Sequence, residues 1–281
     1  MSGSAIPARA GGHGPLALPP RAAIAFSGGL DSRLLCHEAL SQGVDVLALH
    51  AAGPHVLPRE TAGARAFANA VGLRLVVLDF DPLPVPEVAV TSRERCYGCK
   101  KALLAAMRDT LDALGEGDRT LCDGTNADDT AVFRPGLRAL HEAGARSPLA
   151  EAGWTKARIR ARAREVGLPL PAGRSRPCLL TRYAYGLTPD RESLATLARV
   201  ESELLDLPTP PGPDGQIPDF RVRLTPAPVL QVAGADPAWI EAAAACLERH
   251  GLAPFTLLTG DHVSGFYDQG AQVPASGAKN P

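Results

Sequence analysis

The chain has 281 residues, 45% of them hydrophobic and 21% charged, with 29 Lys and Arg against 30 Asp and Glu for a net charge of −1. That length is generous for a single core and favours two domains, and the charge balance supplies no bulk basic field to draw the protein onto nucleic acid. No apolar run approaches the length of a membrane span, and six cysteines without a secretion signal point to reduced thiols in the cytoplasm.

In chain order, the Gly/Pro/Ala-rich start (1–20) reads as a tail and not as a signal peptide. AAIAF (22–26) predicts a strand that breaks into SGGLDS and a helical stretch, RLLCHEALSQG. VDVLALH (44–50) predicts a second strand, Arg59 to Val71 a helix, and LRLVVLDF (73–80) a third strand. After RCYGCK, the spacing in KALLAAMRDTLDAL predicts a helix ending at Gly115. Thr120 to Asp123 reads as a fourth strand opening into GTNADD, and TKARIRARAREV (155–166) as a helix. Alternation at this pitch implies an α/β, doubly wound parallel sheet over 21–170. Such sheets bind ligands at the carboxyl ends of their strands, where both Gly-containing turns fall. Past a boundary between Leu168 and Cys178 the pattern changes. A Pro/Gly-rich loop (207–219), a strand FRVRL, an amphipathic helix from Pro237 to His250 and a strand near FTLLTG predict a smaller α+β domain over 171–270, before a tail at 271–281.

SGGLDS has the make-up of a phosphate cradle. Gly28 and Gly29 let the backbone turn so that N–H groups converge, with a side chain expected to be excluded at Gly29. The helix that follows adds its positive end. Ser27 and Ser32 offer hydroxyls, and Asp31 suits a role with Mg²⁺ or in positioning. Gly124 and Thr125 belong to the second turn, where Asp128 and Asp129 suit ribose or metal contact. SGGxDS after a first strand resembles the PP-loop ATP pyrophosphatase superfamily. The resemblance implies cleavage of ATP between the α and β phosphates, adenylation of a substrate oxygen, and displacement of AMP by a nucleophile.

RCYGCK (95–100) places Cys96 and Cys99 two residues apart, a spacing open to a zinc half-site, a redox pair or part of an iron–sulfur cluster. With GTNADD (124–129), RPG (134–136), ARSPLAEAGWTKARIR (145–160), PCLLTRYAYG (177–186) and RVR (221–223), it forms a series over roughly 22–225. The series resembles the LarE family, ATP-dependent sulfur transferases of nickel-pincer nucleotide assembly. The resemblance implies conversion of the carboxylates of a pyridinium-3,5-biscarboxylate mononucleotide to thiocarboxylates. It implies a four-iron four-sulfur cluster on Cys96, Cys99 and Cys178, supplied by sulfide or a sulfur donor. In the family's sacrificial form Cys178 alone would give up its sulfur and become dehydroalanine. Other nickel-pincer pathway proteins and a homo-oligomer are the implied partners.

An anionic substrate needs cationic forks, for which Arg182, Arg221 and Arg223 are candidates. Lys100, Lys101 and Lys156 could reach phosphate or pyrophosphate, and Glu201 could orient an arginine. Cys36, Cys122 and Cys246 read as small buried hydrophobes. The segment after RVR, APVLQV, departs from the family pattern, as do GFYDQGAQ and the residues beside Cys178. A tRNA thiolase and a non-catalytic nucleotide- or metal-binding regulator are the competing readings.

Overall fold

A computed structural model describes residues 16–130, 135–171, 176–208, 218–225, 227–263 and 266–267. The tail through 15, Arg134 of RPG, most of the Pro/Gly-rich loop and the tail at 271–281 lie outside the described residues.

The first part of the chain runs β1 (Arg21–Ala25), α1 (Leu30–Ser41), β2 (Asp45–Ala52), α2 (Pro58–Val71), β3 (Arg74–Asp79), α3 (Pro86–Ala89), α4 (Arg95–Ala113) and β4 (Thr120–Asp123). Four helices follow: α5 (Ala127–Thr130), α6 (Pro135–Glu142), α7 (Pro148–Glu151) and α8 (Lys156–Glu165). The strands form one parallel sheet in the order β3-β2-β1-β4. This is the doubly wound arrangement expected from the alternating pattern.

The strand sequences explain the layering. Side chains alternate across a strand, so Ala22 and Ile24 of β1 join the core beneath α1, α2 and α8, with Leu34, Leu35, Phe67 and Ile159. Ala23 points the other way, into a core with Leu104, Met107 and Leu111 of α4 and Leu140 of α6. Ala22, Ala23 and Ile24 are all inaccessible, as a central parallel strand covered on both faces requires.

The second unit contains α9 (Arg191–Asp206), β5 (Asp219–Leu224), β6 (Pro228–Ala233), α10 (Pro237–Arg249) and β7 (Thr256–Thr259). Its sheet is mixed, with β5 antiparallel and β7 parallel to the central β6. Sequence reading named neither α9 nor β6. Leu194, Leu197, Val200 and Leu204 of α9 are spaced for one helix face and fully buried, and the Asp190 carboxylate accepts the Ser193 N–H at 2.9 Å as its N-cap. The departing segment APVLQV lies largely in β6, where Val229, Leu230 and Val232 are buried.

α4 begins at Arg95, so RCYGCK is the opening turn and a half of a 19-residue helix and not a loop before it. A glycine at position 98 suits that helix because a Cβ there would run into the Glu87 side chain. Among the described residues, no helix is long and apolar enough to cross a membrane.

Gly53, just past β2, is held by close approach. A Cβ there would overlap the backbone carbonyl of Phe80, which cannot swing aside as a side chain would. Gly53→Ala should therefore cost about 3 kcal/mol or more in chemical denaturation. A loss below about 1 kcal/mol would show that the β2 and β3 exits are not clamped this tightly.

Candidate active site

β1 and β4 pair in parallel with Ala25 opposite Asp123, so SGGLDS and GTNADD leave the sheet at the same edge. Gly28 takes a left-handed φ of 76°, which turns the chain back beneath α1. Ser27 Oγ accepts the Gly29 N–H at 3.2 Å, and Ser32 Oγ donates to the Gly29 carbonyl at 3.0 Å. These bonds hold the turn shut behind the first N–H groups of α1, which face the space beyond the sheet.

Gly29 was expected to exclude a side chain. A Cβ there meets only the Ser27 hydroxyl, at 3.3 Å. The tight glycine is Gly124, whose Cβ would lie 3.1 Å from the Ser32 backbone nitrogen. The two turns touch at that point.

The second turn is organised by Asp123, which is buried. Its carboxylate accepts from Thr125 Oγ1 at 2.7 Å, from the Thr125 N–H at 3.1 Å and from Ser147 Oγ at 2.7 Å, and Lys100 Nζ lies 3.4 Å away. Asn126, fully buried, joins the turns: its Nδ2 donates to Asp31 Oδ2 at 2.9 Å and to Asp129 Oδ2 at 2.8 Å. Asp128 accepts the Lys156 N–H at 2.8 Å, and Lys156 Nζ lies 3.8 Å from Asp129. Burial raises the Asp31 carboxyl above its ordinary value, with the Asn126 hydrogen bond and Lys156 pulling back.

These groups line a cavity of about 700 Å³ that takes in Ser27 through Arg33, Asp123 to Thr125, Asp129, Lys100 and Lys156. Arg160, Arg176, Glu60 and His55, none of them singled out from the sequence, line it as well. Arg160 and Arg176 lie within or beside quoted motifs, so their positions were visible but not their direction. Lys101 points elsewhere, toward Tyr97 and Glu142.

Cys178 lines the same cavity, whereas Cys96 and Cys99 do not. The carbonyl of His55 accepts the Leu179 N–H at 2.9 Å, which fixes the Cys178 segment against the mouth of β2. Arg95 Nη1 donates to the Tyr183 carbonyl at 2.9 Å, tying the start of α4 to the same segment.

The iron–sulfur cluster expected on Cys96, Cys99 and Cys178 is not supported by this geometry. Cys178 and Cys96 are near enough to add to the rise of the Cys99 pKa, and Cys96 to that of Cys178, after burial. The three thiols do not form a ligand set, however. Among the described residues the one His, Cys, Asp or Glu group whose ligand atoms all lie within 4.8 Å of one another is Glu203, Cys246 and His250. The reason lies in the helix: Cys96 is exposed on the first turn of α4, while Cys99 and Cys178 pack against the apolar core of the second unit. Burial pushes the Cys99 thiol up to about 12 and raises that of Cys178. The four-iron four-sulfur cofactor and the sulfur route through it are therefore set aside.

Arg182, Glu201, Arg221 and Arg223 form a buried cluster beside this segment. Glu201 is inaccessible and accepts from Arg182 Nε and Nη2 at 2.6 and 2.8 Å, from Arg176 Nη2 at 2.9 Å and from the Val222 N–H at 3.1 Å. Burial alone would raise its pKa, but the Arg182 and Arg176 charges overcome that and hold it at about 2. Arg223 donates to Gln231 Oε1 and to the carbonyls of Thr181 and Val263. Arg221 lies 2.6 Å from Asp219 Oδ1.

No protein-family model matches the chain. An uncharacterized protein of Synechocystis sp. is 36% identical over 184 residues, 64% of this chain and 67% of that protein. The pyridinium-3,5-bisthiocarboxylic acid mononucleotide synthase of Lactiplantibacillus plantarum is 32% identical over 192 residues, 68% of this chain and 69% of its own length. An uncharacterized protein of Methanocaldococcus jannaschii is 31% identical over 181 residues, 64% of this chain and 68% of its own.

The Glu201 cluster makes a stability prediction. The carboxylate falls from an ordinary 4.5 to about 2, so its contribution is complete above 4.5 and drains away as pH falls toward 2. Glu201→Gln leaves buried guanidinium groups without their counter-charge and should cost about 3–5 kcal/mol at neutral pH. Its stability should then vary less than that of the wild type between pH 4.5 and 2, followed by circular dichroism on thermal melts.

Proposed function

The chain belongs to the family that contains the pyridinium-3,5-bisthiocarboxylic acid mononucleotide synthase of Lactiplantibacillus plantarum, and we propose that it is an ATP-dependent, AMP- and pyrophosphate-forming enzyme that activates a substrate carboxylate and passes it to the sulfur of Cys178. One observation carries the reading: Cys178 lines the same cavity as both glycine turns, and the CxxC pair does not. The donor is then the side chain itself, with no cluster in the path.

The phosphate end is the cradle of Ser27 to Ser32 at the N-terminus of α1, with Lys100, Lys156 and Arg160 supplying positive charge around it. Asp31 and Asp129, both in the cavity wall, are the oxygen donors that would accompany a phosphate-bound Mg²⁺. Bound there, the ion would neutralise the pyrophosphate leaving group. The substrate class is a small carboxylated anion, and the relative's name makes a carboxylated pyridinium mononucleotide the first to try.

The chemistry divides into two displacements. A carboxylate oxygen attacks the α-phosphorus of ATP, and the bond to pyrophosphate breaks. The Cys178 sulfur, losing its proton, then attacks the activated carbonyl carbon and AMP leaves with the carboxylate oxygen. Cleavage of the Cys178 Cβ–S bond, with loss of its Cα proton, would release a thiocarboxylate and leave dehydroalanine. Because Cys178 is held as a thiol above its ordinary pKa, the second displacement should quicken as pH rises, while the first should not follow the same slope.

Mass spectrometry of the protein after turnover with ATP and the carboxylated pyridinium mononucleotide tests this directly. Wild type should become about 34 Da lighter at Cys178 by loss of H₂S. Cys178→Ala should still release pyrophosphate and build up the acyl-adenylate but show no mass loss, and Cys96→Ala should behave as wild type. Sulfur transfer with an unchanged Cys178 would sink the proposal.

Gly124→Ala tests the first displacement separately. It should press the second turn off Ser32 by a few tenths of an ångström and cut AMP formation by about threefold or more, since an aligned displacement is sensitive to small misplacement. Unchanged AMP formation would remove the paired turns from the nucleotide site.

A further inference from the structure

Away from the nucleotide cavity, Glu203 of α9 faces Cys246 and His250 of α10. His250 follows the last residue of α10 and still donates its backbone N–H to the Cys246 carbonyl at 3.2 Å, so thiol and imidazole share one face of the helix. His250 Nε2 lies 2.8 Å from Glu203 Oε2, and the sulfur, nitrogen and carboxylate oxygen all fall within 4.8 Å of one another. Arg249 pairs with the other carboxylate oxygen, Oε1, which leaves Oε2 turned toward His250.

A Glu–His hydrogen bond by itself would explain two of these groups. It does not explain why a buried thiol stands at the same point. Cys246 read alone is a small buried hydrophobe among Trp239, Ala243 and Leu247. Its convergence with imidazole and carboxylate is what changes the reading. Ligands around one tetrahedral ion at 2.0–2.3 Å stand about 3.5–4 Å apart, so shifts of about 1 Å or less would close this set. The thiol forms the floor, and half-buried Glu203 and His250 form the rim, so an ion could come in from solvent.

We propose that Glu203, Cys246 and His250 form a divalent metal site of the zinc type, with water as the fourth ligand, that clamps α9 to α10. Mixed sulfur, nitrogen and oxygen donors suit a borderline ion and not a hard one such as Mg²⁺. On binding, the Cys246 thiol loses its proton to solvent, and the His250–Glu203 hydrogen bond gives way to one bond from each group to the metal. Thiolate and carboxylate together balance the dication, and Arg249 keeps its hold on Oε1 and orients the carboxylate from the outer shell. Glu201 lies two residues before Glu203 on the same helix, so the clamp also steadies the base of the buried arginine cluster.

The test is titration of the full chain, carrying Cys96→Ser and Cys99→Ser to remove the other close thiol pair, with Co²⁺ and then Zn²⁺. One Co²⁺ per chain should bind with a sulfur-to-cobalt charge-transfer band, and Zn²⁺ should displace it. Calorimetry in buffers of different ionisation enthalpy should count about one proton released per ion. Cys246→Ser should abolish the band. His250→Ala, just past the last residue of α10, should weaken binding beyond the about 10–100-fold typical of outer-shell partners. Absence of Co²⁺ binding, or a band that persists unchanged in His250→Ala, would overturn the site. A band that survives Cys246→Ser would assign the metal to one of the remaining thiols, Cys36, Cys122 or Cys178, and overturn it equally.

Discussion

The side-chain amide of Asn126 is the interaction on which the site depends. Two carboxylates, Asp31 at the head of α1 and Asp129 in the second turn, face the same buried region and would repel one another. Asn126 Nδ2 donates to both, within 2.9 Å, and so converts a repulsion into a tie between the two cradles. Its Oδ1 accepts the N–H groups of Asp128 and Asp129 and thereby fixes which way the amide faces. A buried network is costly when half satisfied and rigid when complete. Here it is close to complete, and it sets the separation between the first glycine turn and the turn that meets it at Gly124.

The second unit rests on a different solution to the same problem. Several guanidinium groups crowd its core, and burial with mutual repulsion lowers Arg221 and Arg223 to about 10. Glu201 offsets part of that repulsion, and Arg223 also meets the rings of Phe266 and Tyr267. Such a cluster is a weak source of stability, because the cost of burying its charges offsets much of their attraction. It holds Arg182, and with it the segment carrying Cys178, in a set position beside the cavity between the two glycine turns.

The cysteines show how far spacing can mislead. C-x-x-C admits several chemistries, and the choice among them depends on where three sulfurs meet in space. Placing Cys96 and Cys99 on the first turns of α4 directs one thiol to solvent and the other toward the apolar core. Cys246, by contrast, carried no motif at all. Its neighbours come from α9, more than 40 residues earlier in the chain, and from the following turn of its own helix.

Much of the architecture was legible because it is local. The apolar strands around Ile24, Leu47 and Leu121 alternate with helical stretches, and glycines follow β1 and β4, so the parallel sheet and its two ligand-facing turns could be read directly. α9 and β6 were not predicted, although Leu194, Leu197, Val200 and Leu204 are spaced for one helix face and the apolar residues of β6 are buried. The sequence by itself determined the sheet, the cradle and the residue types that surround it. Only the tertiary structure decided that a Cβ at Gly124 would meet the backbone of Ser32, that Cys178 alone of the expected sulfur trio lines the cavity between the two turns, and that Glu203, Cys246 and His250 meet. Each of those outcomes depends on distances between segments far apart in the chain, and such distances are set by packing, which no local pattern encodes.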